Sequence, residues 1–412
     1  MIAWIALAMK LIERNIIMNN KRNVTFGDLA EQVMVRISPT SDDAKHFIGL
    51  EHLKSGYFYV HDWGADVELK TQAFKVKCGE IIFSRRNTYL KRVSVSPING
   101  ICSADAMVIK PRKNNYLLDG YLPHLMQSTS FMEKVIANSA GSLSSRIKWS
   151  DLNKLEVNIP SSEQQYSSLI IFDSLAKKEL LYLSALKAAK RLLYAIGLRT
   201  FDNYFDSREN KCVPLPVGWT FGSIKDVLID SPEGGYSPVE TAVGTGYYVL
   251  NLNSLSKSGF RETTLKNITE DHFLKGKTCN DGDLLISRSN TAELVGLVGK
   301  YKGSTGNGNT IFPDTMWRLA VDEKFIKKEF LMYYLMSPYG RRAIQGIAAG
   351  TSGSMKKINK DNFLKIQIPI PPFDIQASII NTFKCSYENI YRHNESLGKI
   401  IQLRQAMIDK EI

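Results

Sequence analysis

The sequence is poor in the residues that build disulfides and metal sites. Its 412 residues include five cysteines and six histidines. The cysteine number is odd, no two cysteines form a CxxC pair, and there is no HExxH motif. A disulfide framework and a zinc site are therefore not expected, and the composition fits a reducing cytoplasm. We predict a cytoplasmic protein without a bound metal ion.

Motifs for catalysis are also missing. There is no GxxxxGKS/T loop for nucleotide phosphates, and the glycine-rich Gly303–Asn309 lacks the ending that would complete one. The stretch SPYG at Ser337–Gly340 faintly resembles an amino-methyltransferase motif, but a turn at a helix end is the preferred interpretation. Asp62 followed by Glu68-x-Lys70 could form a metal-nuclease site, yet such short matches often arise by chance. We predict a protein that is not an enzyme and uses no cofactor.

The N-terminus lacks an apolar run long enough to cross a bilayer. The run Ile2–Met9 is too short to span a membrane, and it has neither a preceding positive charge nor a small-residue cleavage site. We interpret residues 1–20 as a short amphipathic helix or an N-terminal extension, with Met18 as an alternative start, and we expect no membrane partner.

Basic residues, in contrast, are abundant. Lys and Arg number 53 against 41 Asp and Glu, which gives a net charge of +12 and a pI of about 9.2. This excess favours a polyanionic partner such as double-stranded DNA, although general basicity is the simpler explanation.

A repeated strand and helix organise the chain. Asp151–Gln165 aligns without gaps to Asn362–Gln376, 211 positions later, and both copies alternate apolar residues before a proline. This alternation predicts a short strand that the proline ends. A long proline-free segment with an imperfect heptad pattern follows each copy, which predicts two long helices acting as a spacer or coiled coil. Two ordinary core helices are the alternative.

Two further pairs of matching stretches lie upstream. Thr25–Leu29 (TFGDL) matches Thr220–Ile224 (TFGSI) at an offset of 195, and Gly79–Asn87 matches Gly282–Asn290 at 203. Short β-type runs alternate with turns and helices in both halves, so we predict a duplicated α+β domain. The expected divisions are an extension (1–20), two globular domains (21–160 and 206–372) and two long spacer helices (161–205 and 373–412).

The ends of the Gly79 and Gly282 runs are candidate DNA readers. Arginine can pair with guanine and asparagine with adenine in the major groove. Both residue types occur at the ends of these runs, and the candidates are Arg85, Arg86, Asn87, Arg288, Ser289 and Asn290. The alternative is a scaffold turn, because the two copies agree there. Basic residues also follow Gly/Ser-rich loops in both halves and suit phosphate contact, namely Arg146, Lys148, Lys356 and Lys357. A solvated charged loop is the alternative for these.

Three features of the chain together resemble the specificity subunits of type I restriction–modification systems. They are the strand–Pro–Gln–helix block, the Gly-acid-apolar-Ser-Arg run, and the stretch GTSGSMKKI at Gly350–Ile358. The resemblance covers most of the chain from about Thr25. It implies two target-recognition domains held apart by an antiparallel helical coiled coil, each domain reading half of a split DNA site. It departs from the family where the first block has Pro160-Ser161-Ser162 in place of a double proline.

The resemblance also implies partners. Methyltransferase subunits would dock on the helices, a nuclease-translocase (restriction) subunit could join, and the residues implied in docking are Pro160, Gln165, Pro371, Pro372 and Gln376. The chain would then be the non-catalytic subunit of an adenine-specific DNA methyltransferase complex. The alternatives are a stand-alone DNA-modifying or DNA-cleaving enzyme, which the missing motifs disfavour, and a structural coiled-coil adaptor.

Overall fold

A computed structural model shows two compact units that both contain helices and sheets. It describes residues 22–37, 43–65, 72–141, 144–201, 205–206, 211–212, 215–262, 265–303, 308–350 and 355–412. Unit 1 comprises Met1–Lys187 and Arg392–Ile412, and unit 2 comprises Ala188–Tyr391. The predicted N-terminal extension lies outside the described residues.

Unit 1 is built on a four-stranded antiparallel sheet in the order β2-β9-β6-β7, with a second sheet in the order β3-β5-β8-β4 and a separate β1–β10 pair. Its strands are β1 (Arg22–Thr25), β2 (Ala30–Val33), β3 (Arg36–Ile37), β4 (Phe47–Ile48), β5 (Ala73–Val76), β6 (Ile81–Ser84), β7 (Val93–Val95), β8 (Gly100–Ser103), β9 (Ala106–Pro111) and β10 (Glu156–Ile159). Its short helices are α1 (Phe26–Leu29), α2 (Tyr121–Gln127), α3 (Thr129–Ala137) and α4 (Trp149–Leu152).

Unit 2 repeats this plan, with a four-stranded sheet in the order β14-β23-β19-β21 and a β13–β25 pair. Its strands are β11 (Phe205–Asp206), β12 (Lys211–Cys212), β13 (Thr220–Ser223), β14 (Glu233–Gly234), β15 (Tyr248–Val249), β16 (Leu255–Ser256), β17 (Gly259–Phe260), β18 (Lys266–Asn267), β19 (Leu284–Ser287), β20 (Ser289–Asn290), β21 (Val298–Lys300), β22 (Thr310–Ile311), β23 (Met316–Leu319), β24 (Lys356–Lys357) and β25 (Gln367–Ile370). Its short helices are α6 (Glu270–Lys275), α7 (Lys328–Met336), α8 (Pro338–Gly346) and α9 (Lys360–Leu364).

The two predicted long helices are α5 (Ser162–Phe201, 40 residues) and α10 (Phe373–Glu411, 39 residues). Both units contain parts of both helices. Within unit 1 the helices run antiparallel, because Ser168 hydrogen-bonds Glu411, Glu179 pairs with Arg404, and the Tyr182 ring lies near His393. The predicted α+β class and antiparallel long helices are confirmed.

The strand that precedes each long helix also forms as predicted. In β10, Val157 and Ile159 are buried, whereas Glu156 and Asn158 are exposed. β25 follows the same register against β13, and its Ile368 is fully buried, but the alternation is less regular there because Pro369 is buried as well. The alternation therefore marks one strand face that packs on the hydrophobic core of its own unit.

The predicted match of Thr25–Leu29 with Thr220–Ile224 is wrong by three residues. The structure equates Thr25 with Ser223, because these residues pair with Glu156 and Gln367, which are themselves 211 positions apart. Thr25 and Ser223 each donate backbone and side-chain hydrogen bonds to an aspartate three residues later. Aligning the identical residues TFG gave the wrong correspondence, because a capping box is defined only by a hydroxyl residue and an acid three positions later.

Candidate nucleic-acid interface

Both Gly-acid runs begin with the same tight turn. Gly79 and Gly282 have φ values of 88° and 82°, a left-handed conformation that favours glycine. The carboxylate of the next residue closes the turn, since Glu80 accepts from the Lys77 N–H at 2.8 Å and Asp283 accepts from the Asn280 N–H at 2.8 Å. The glycine and the acid therefore form the turn that precedes the central strands β6 and β19. This shared turn explains why the Gly-acid pair occurs in both halves of the chain.

In unit 1 the end of β6 lies against the basic segment that follows the Gly/Ser loop. Arg86 bridges Arg146 in antiparallel fashion, and the Ile147 N–H donates to the Arg85 carbonyl at 3.1 Å. Asn87, in a left-handed conformation with φ of 53°, donates its N–H to the Ser145 carbonyl at 2.7 Å. The structure thus joins two predicted sites into one, which we call basic surface 1 (Arg85, Arg86, Asn87, Arg146 and Lys148).

Unit 2 forms the same junction from equivalent residues. β20 pairs with β24 so that Ser289 faces Lys357 and Asn290 faces Lys356. The Ile358 N–H donates to the Arg288 carbonyl at 3.0 Å, as Ile147 does to Arg85 in unit 1. We call this basic surface 2 (Arg288, Ser289, Asn290, Lys356 and Lys357).

The two surfaces differ in charge. In unit 1, Asp105 lies within 4 Å of three arginine side chains, those of Arg85, Arg86 and Arg146, at 3.9, 3.3 and 3.4 Å. In unit 2 the corresponding backbone position is Thr315, whose carbonyl accepts from the Arg288 N–H as the Asp105 carbonyl does from Arg85. The same backbone junction therefore carries arginines paired with an aspartate in unit 1. In unit 2 it carries Arg288, Lys356 and Lys357, with a threonine at the position of that aspartate.

The surfaces also differ in the exposure of their polar side chains. The arginine side chains of surface 1 are 38% to 49% exposed. In surface 2, Ser289 and Asn290 are only 3% and 8% exposed, and Arg288 lies with its guanidinium 5.8 Å from the centre of the Trp317 ring. Lys356 is half-buried and Lys357 exposed. Lys357 is therefore the most accessible of the predicted contacts in unit 2.

Comparisons with known proteins agree with this architecture. A family model described as the type I restriction modification DNA specificity domain matches residues 216–400. The specificity subunit of the type I restriction enzyme EcoKI from Escherichia coli strain K12 is 23% identical, over 75% of this chain and 68% of the relative. The StySPI specificity subunit from Salmonella potsdam is also 23% identical, over the same shares. The chain is therefore similar to type I restriction–modification specificity subunits over most of its length.

Solved structures share the fold of this chain. The S subunit of a type I restriction–modification system from M. genitalium superposes with a TM-score of 0.55 at 12% identity, covering 96% of this chain and 97% of the other. A chain from a type I R-M system, solved in a study of complex assembly and conformational transition, gives a TM-score of 0.50 at 18% identity, covering 96% and 98%.

The two glutamines implied in docking are buried. Gln165 donates to the Tyr116 and Pro160 carbonyls and accepts from the Leu118 N–H. Gln376 makes the equivalent bonds, to the carbonyls of Phe325 and Pro371 and from the Lys327 N–H. Both side chains thus join the start of a long helix to a preceding loop. The docking role of these glutamines and of Pro160, Pro371 and Pro372 stays a prediction.

Sequence reasoning missed Asp105 and one further repeat. Asp105 stands in a turn before β9, and only the fold brings it beside arginines from two distant segments. This further repeat is Lys54-Ser55-Gly56 and Lys257-Ser258-Gly259, at the same offset of 203 as the Gly-acid runs. Gly56 and Gly259 both have positive φ, 80° and 96°. This signal was present in the sequence and could have been found.

The structure also bears on the weaker motif matches. Ser337 caps α8, since its hydroxyl accepts from the Gly340 N–H at 3.2 Å, so SPYG lies at a helix boundary as expected. Glu68 and Lys70 lie outside the described residues, as does most of the Gly303–Asn309 loop. Within the described ranges, no three His, Cys, Asp or Glu residues are placed to hold a metal ion. No helix there is long and apolar enough to cross a bilayer.

Proposed function

We propose that this chain is the DNA-recognition subunit of a type I restriction–modification complex and reads a two-part double-stranded DNA target, one part with each unit. The observation that carries the proposal is the repeated junction between a central strand end and a basic segment. Its backbone is the same in both units, whereas its side chains differ at Arg86 and Ser289 and at Asp105 and Thr315. A constant frame with different side chains suits two domains that read different sequences.

The chemistry of the two surfaces fits DNA. Guanidinium groups can pair bidentately with guanine, and a carboxylate can accept from the cytosine amino group. In surface 1, Arg86 and Asp105 offer both kinds of group beside each other. In surface 2, Lys356 and Lys357 supply positive charge for phosphates, which bind without regard to sequence. We therefore assign base reading in unit 1 to Arg86 and Asp105, and contact with the DNA phosphates in unit 2 to Lys356 and Lys357.

The partners are the remaining part of the proposal. The α5 helix exposes large apolar side chains, with Tyr166, Ile170 and Leu181 exposed by 65%, 59% and 69%. Exposed apolar groups of this size favour a protein partner. In the proposed complex, methyltransferase subunits dock on the helices and a restriction subunit joins them. The complex assembles in the cytoplasm, and its specificity subunit is not itself catalytic.

The test is DNA binding by the assembled complex across a range of salt. Replacing Lys356 and Lys357 with alanine should weaken binding to every sequence and make the plot of log affinity against log salt shallower, by roughly one unit for each lost phosphate contact. Fluorescence anisotropy with target and non-target duplexes measures both quantities.

The matched control replaces Lys225 and Lys324, two exposed lysines of the same unit, with alanine. The control removes the same charge and should leave the salt slope within error of the wild type. An equal loss in both variants would mean that net charge alone, and not surface 2, sets the affinity.

A further inference from the structure

Unit 1 contains a buried ion pair between the two long helices. Glu179 of α5 and Arg404 of α10 are both 0% exposed, with Arg404 Nε 3.5 Å from Glu179 Oε2. The other Glu179 oxygen accepts from the Phe58 N–H at 2.8 Å. Arg404 also donates to the Gly56 carbonyl and to the Gln127 side chain. The pair therefore holds a loop of unit 1 on the helices, and each charge depends on the other.

The repeat shows that these polar residues are specific to unit 1. At the offset of 211, Glu179 corresponds to Ile390 and Arg404 to Leu193. Gln127 corresponds to Met336, since each precedes the serine that caps the following helix. In unit 2, Ile390 is buried and Leu193 packs on the hydrophobic core. Unit 2 has apolar side chains wherever unit 1 has this polar cluster.

The loop that the cluster holds is repeated as well. Gly56, whose carbonyl accepts from Arg404, corresponds to Gly259 of unit 2. A Cβ atom placed on Gly259 would lie 3.8 Å from the terminal methyl of Met336. Gln127 contacts the same loop in unit 1, by donating to the Tyr57 carbonyl at 2.9 Å. The geometry is conserved between the units, and only the polarity of the contact differs.

Because the helices pair antiparallel, this difference selects the partner of each helix. If α5 paired in the same way with α5 of a second copy, each Glu179 would meet a leucine at position 193. If α10 paired with a second α10, each Arg404 would meet an isoleucine at position 390. Either arrangement buries a charge without its partner, which costs several kcal/mol. We propose that the Glu179–Arg404 pair makes association of the two repeats selective, so that each helix accepts the helix of the other repeat and rejects a second copy of itself.

The experiment uses the folded full chain, cleaved afterwards. A protease recognition sequence inserted between Pro216 and Val217, where Val217 is fully exposed, yields fragments 1–216 and 217–412. The fragments should stay associated, because each unit contains residues from both. Urea below the unfolding transition allows the fragments to exchange, and mixing with a ¹⁵N-labelled preparation shows when exchange is complete. Native mass spectrometry then counts mixed and like pairs. The wild type should show mixed pairs at an excess of about 100-fold or more over like pairs, as loss of a buried ion pair implies.

The matched variant copies unit 2 into unit 1, with Glu179→Ile, Arg404→Leu and Gln127→Met. Its fragments should redistribute toward a statistical mixture of like and mixed pairs. If this variant stays as selective as the wild type, or if wild-type fragments already form like pairs freely, the proposal is overturned.

A charge-reversed protein, Glu179→Arg with Arg404→Glu, provides an independent measurement if the apolar variant does not fold. When it is mixed with the wild type, reversed fragments should associate with reversed fragments and wild-type fragments with wild-type fragments. Free scrambling between the two proteins would show that the ion pair does not choose the partner.

Discussion

At the scale of single residues, identical residues at equivalent positions of the two units have a different cause from residues that differ there. Gly79 and Gly282 are fixed by backbone conformation, and the acids that follow them by turn hydrogen bonds. Asp105, by contrast, has a threonine as its counterpart and contacts three arginines. Residues that differ between equivalent positions are the better candidates for reading DNA.

Replacing Asp105 with alanine should strengthen binding of the complex to non-target DNA. The carboxylate competes with phosphates for the arginines of surface 1, and its removal is worth about 1 kcal/mol for charges near 4 Å in water, or about fivefold in affinity. Anisotropy titrations against a random duplex measure this gain. Glu133→Ala, at an exposed acid of α3, is the control and should change affinity less. If Asp105 also accepts from a base, as proposed, affinity for the target duplex should fall at the same time, whereas unchanged affinity for both duplexes would contradict a role for Asp105 at surface 1.

His124 should make unit 1 sensitive to acid. It is fully buried between the Phe58 and Phe172 rings, and burial, opposed only partly by Asp173 at 3.8 Å, lowers its pKa from 6.5 to about 4. The folded state therefore favours the neutral ring. Its stabilisation is complete above pH 6.5 and is lost as the pH falls toward 4. The loss between pH 7 and pH 5 should be about 2 kcal/mol.

The matched variant is His124→Tyr, because unit 2 has Tyr333 at the equivalent position, stacked on Phe383. Thermal unfolding at pH 7 and pH 5 should show a smaller loss of stability in the variant than in the wild type. Burial raises the pKa of Glu179, which acts in the opposite direction but is common to both proteins. Equal acid sensitivity in the two would assign it to other groups.

At the scale of elements, the glutamine at the start of each long helix should stabilise its unit. Gln376 is fully buried and satisfies one N–H and two carbonyls of the backbone. Replacing it with methionine keeps the approximate volume but leaves these groups unpaired, which should cost about 3 kcal/mol. Chemical denaturation followed through unit 2 measures the loss. Gln345→Met, at an exposed position of α8, should cost less than about 0.5 kcal/mol.

The sequence allowed the strand–proline–helix blocks to be predicted because period-two alternation, proline and a long heptad pattern are local signals. It did not allow the role of Gln165 and Gln376 to be predicted, since their partners are backbone groups about 50 residues away. The correspondence of β1 with β13 was missed because identical letters outweighed the hydrogen-bond pattern that defines the turn. The two basic segments of each half were found separately, and only the fold shows that they meet.

At the scale of the whole molecule, the chain is a duplication in which both units keep the same central sheet and the same basic junction. The proposed function requires the units to act as separate readers. Residues 220–350 lie within unit 2 and include surface 2 up to its Gly/Ser loop. This segment can therefore be exchanged without replacing the long helices.

The most direct measurement of the central claim is methylation mapping of genomic DNA after residues from about Thr220 to Gly350 are exchanged for the matching segment of a relative. The exchange should change one half of the methylated target and leave the other half as it was, because unit 1 is untouched. Assembly of the complex is confirmed first by co-purification of the methyltransferase subunits. An assembled complex in which both halves change, or in which neither changes, would contradict a two-part reading of DNA by two separate units.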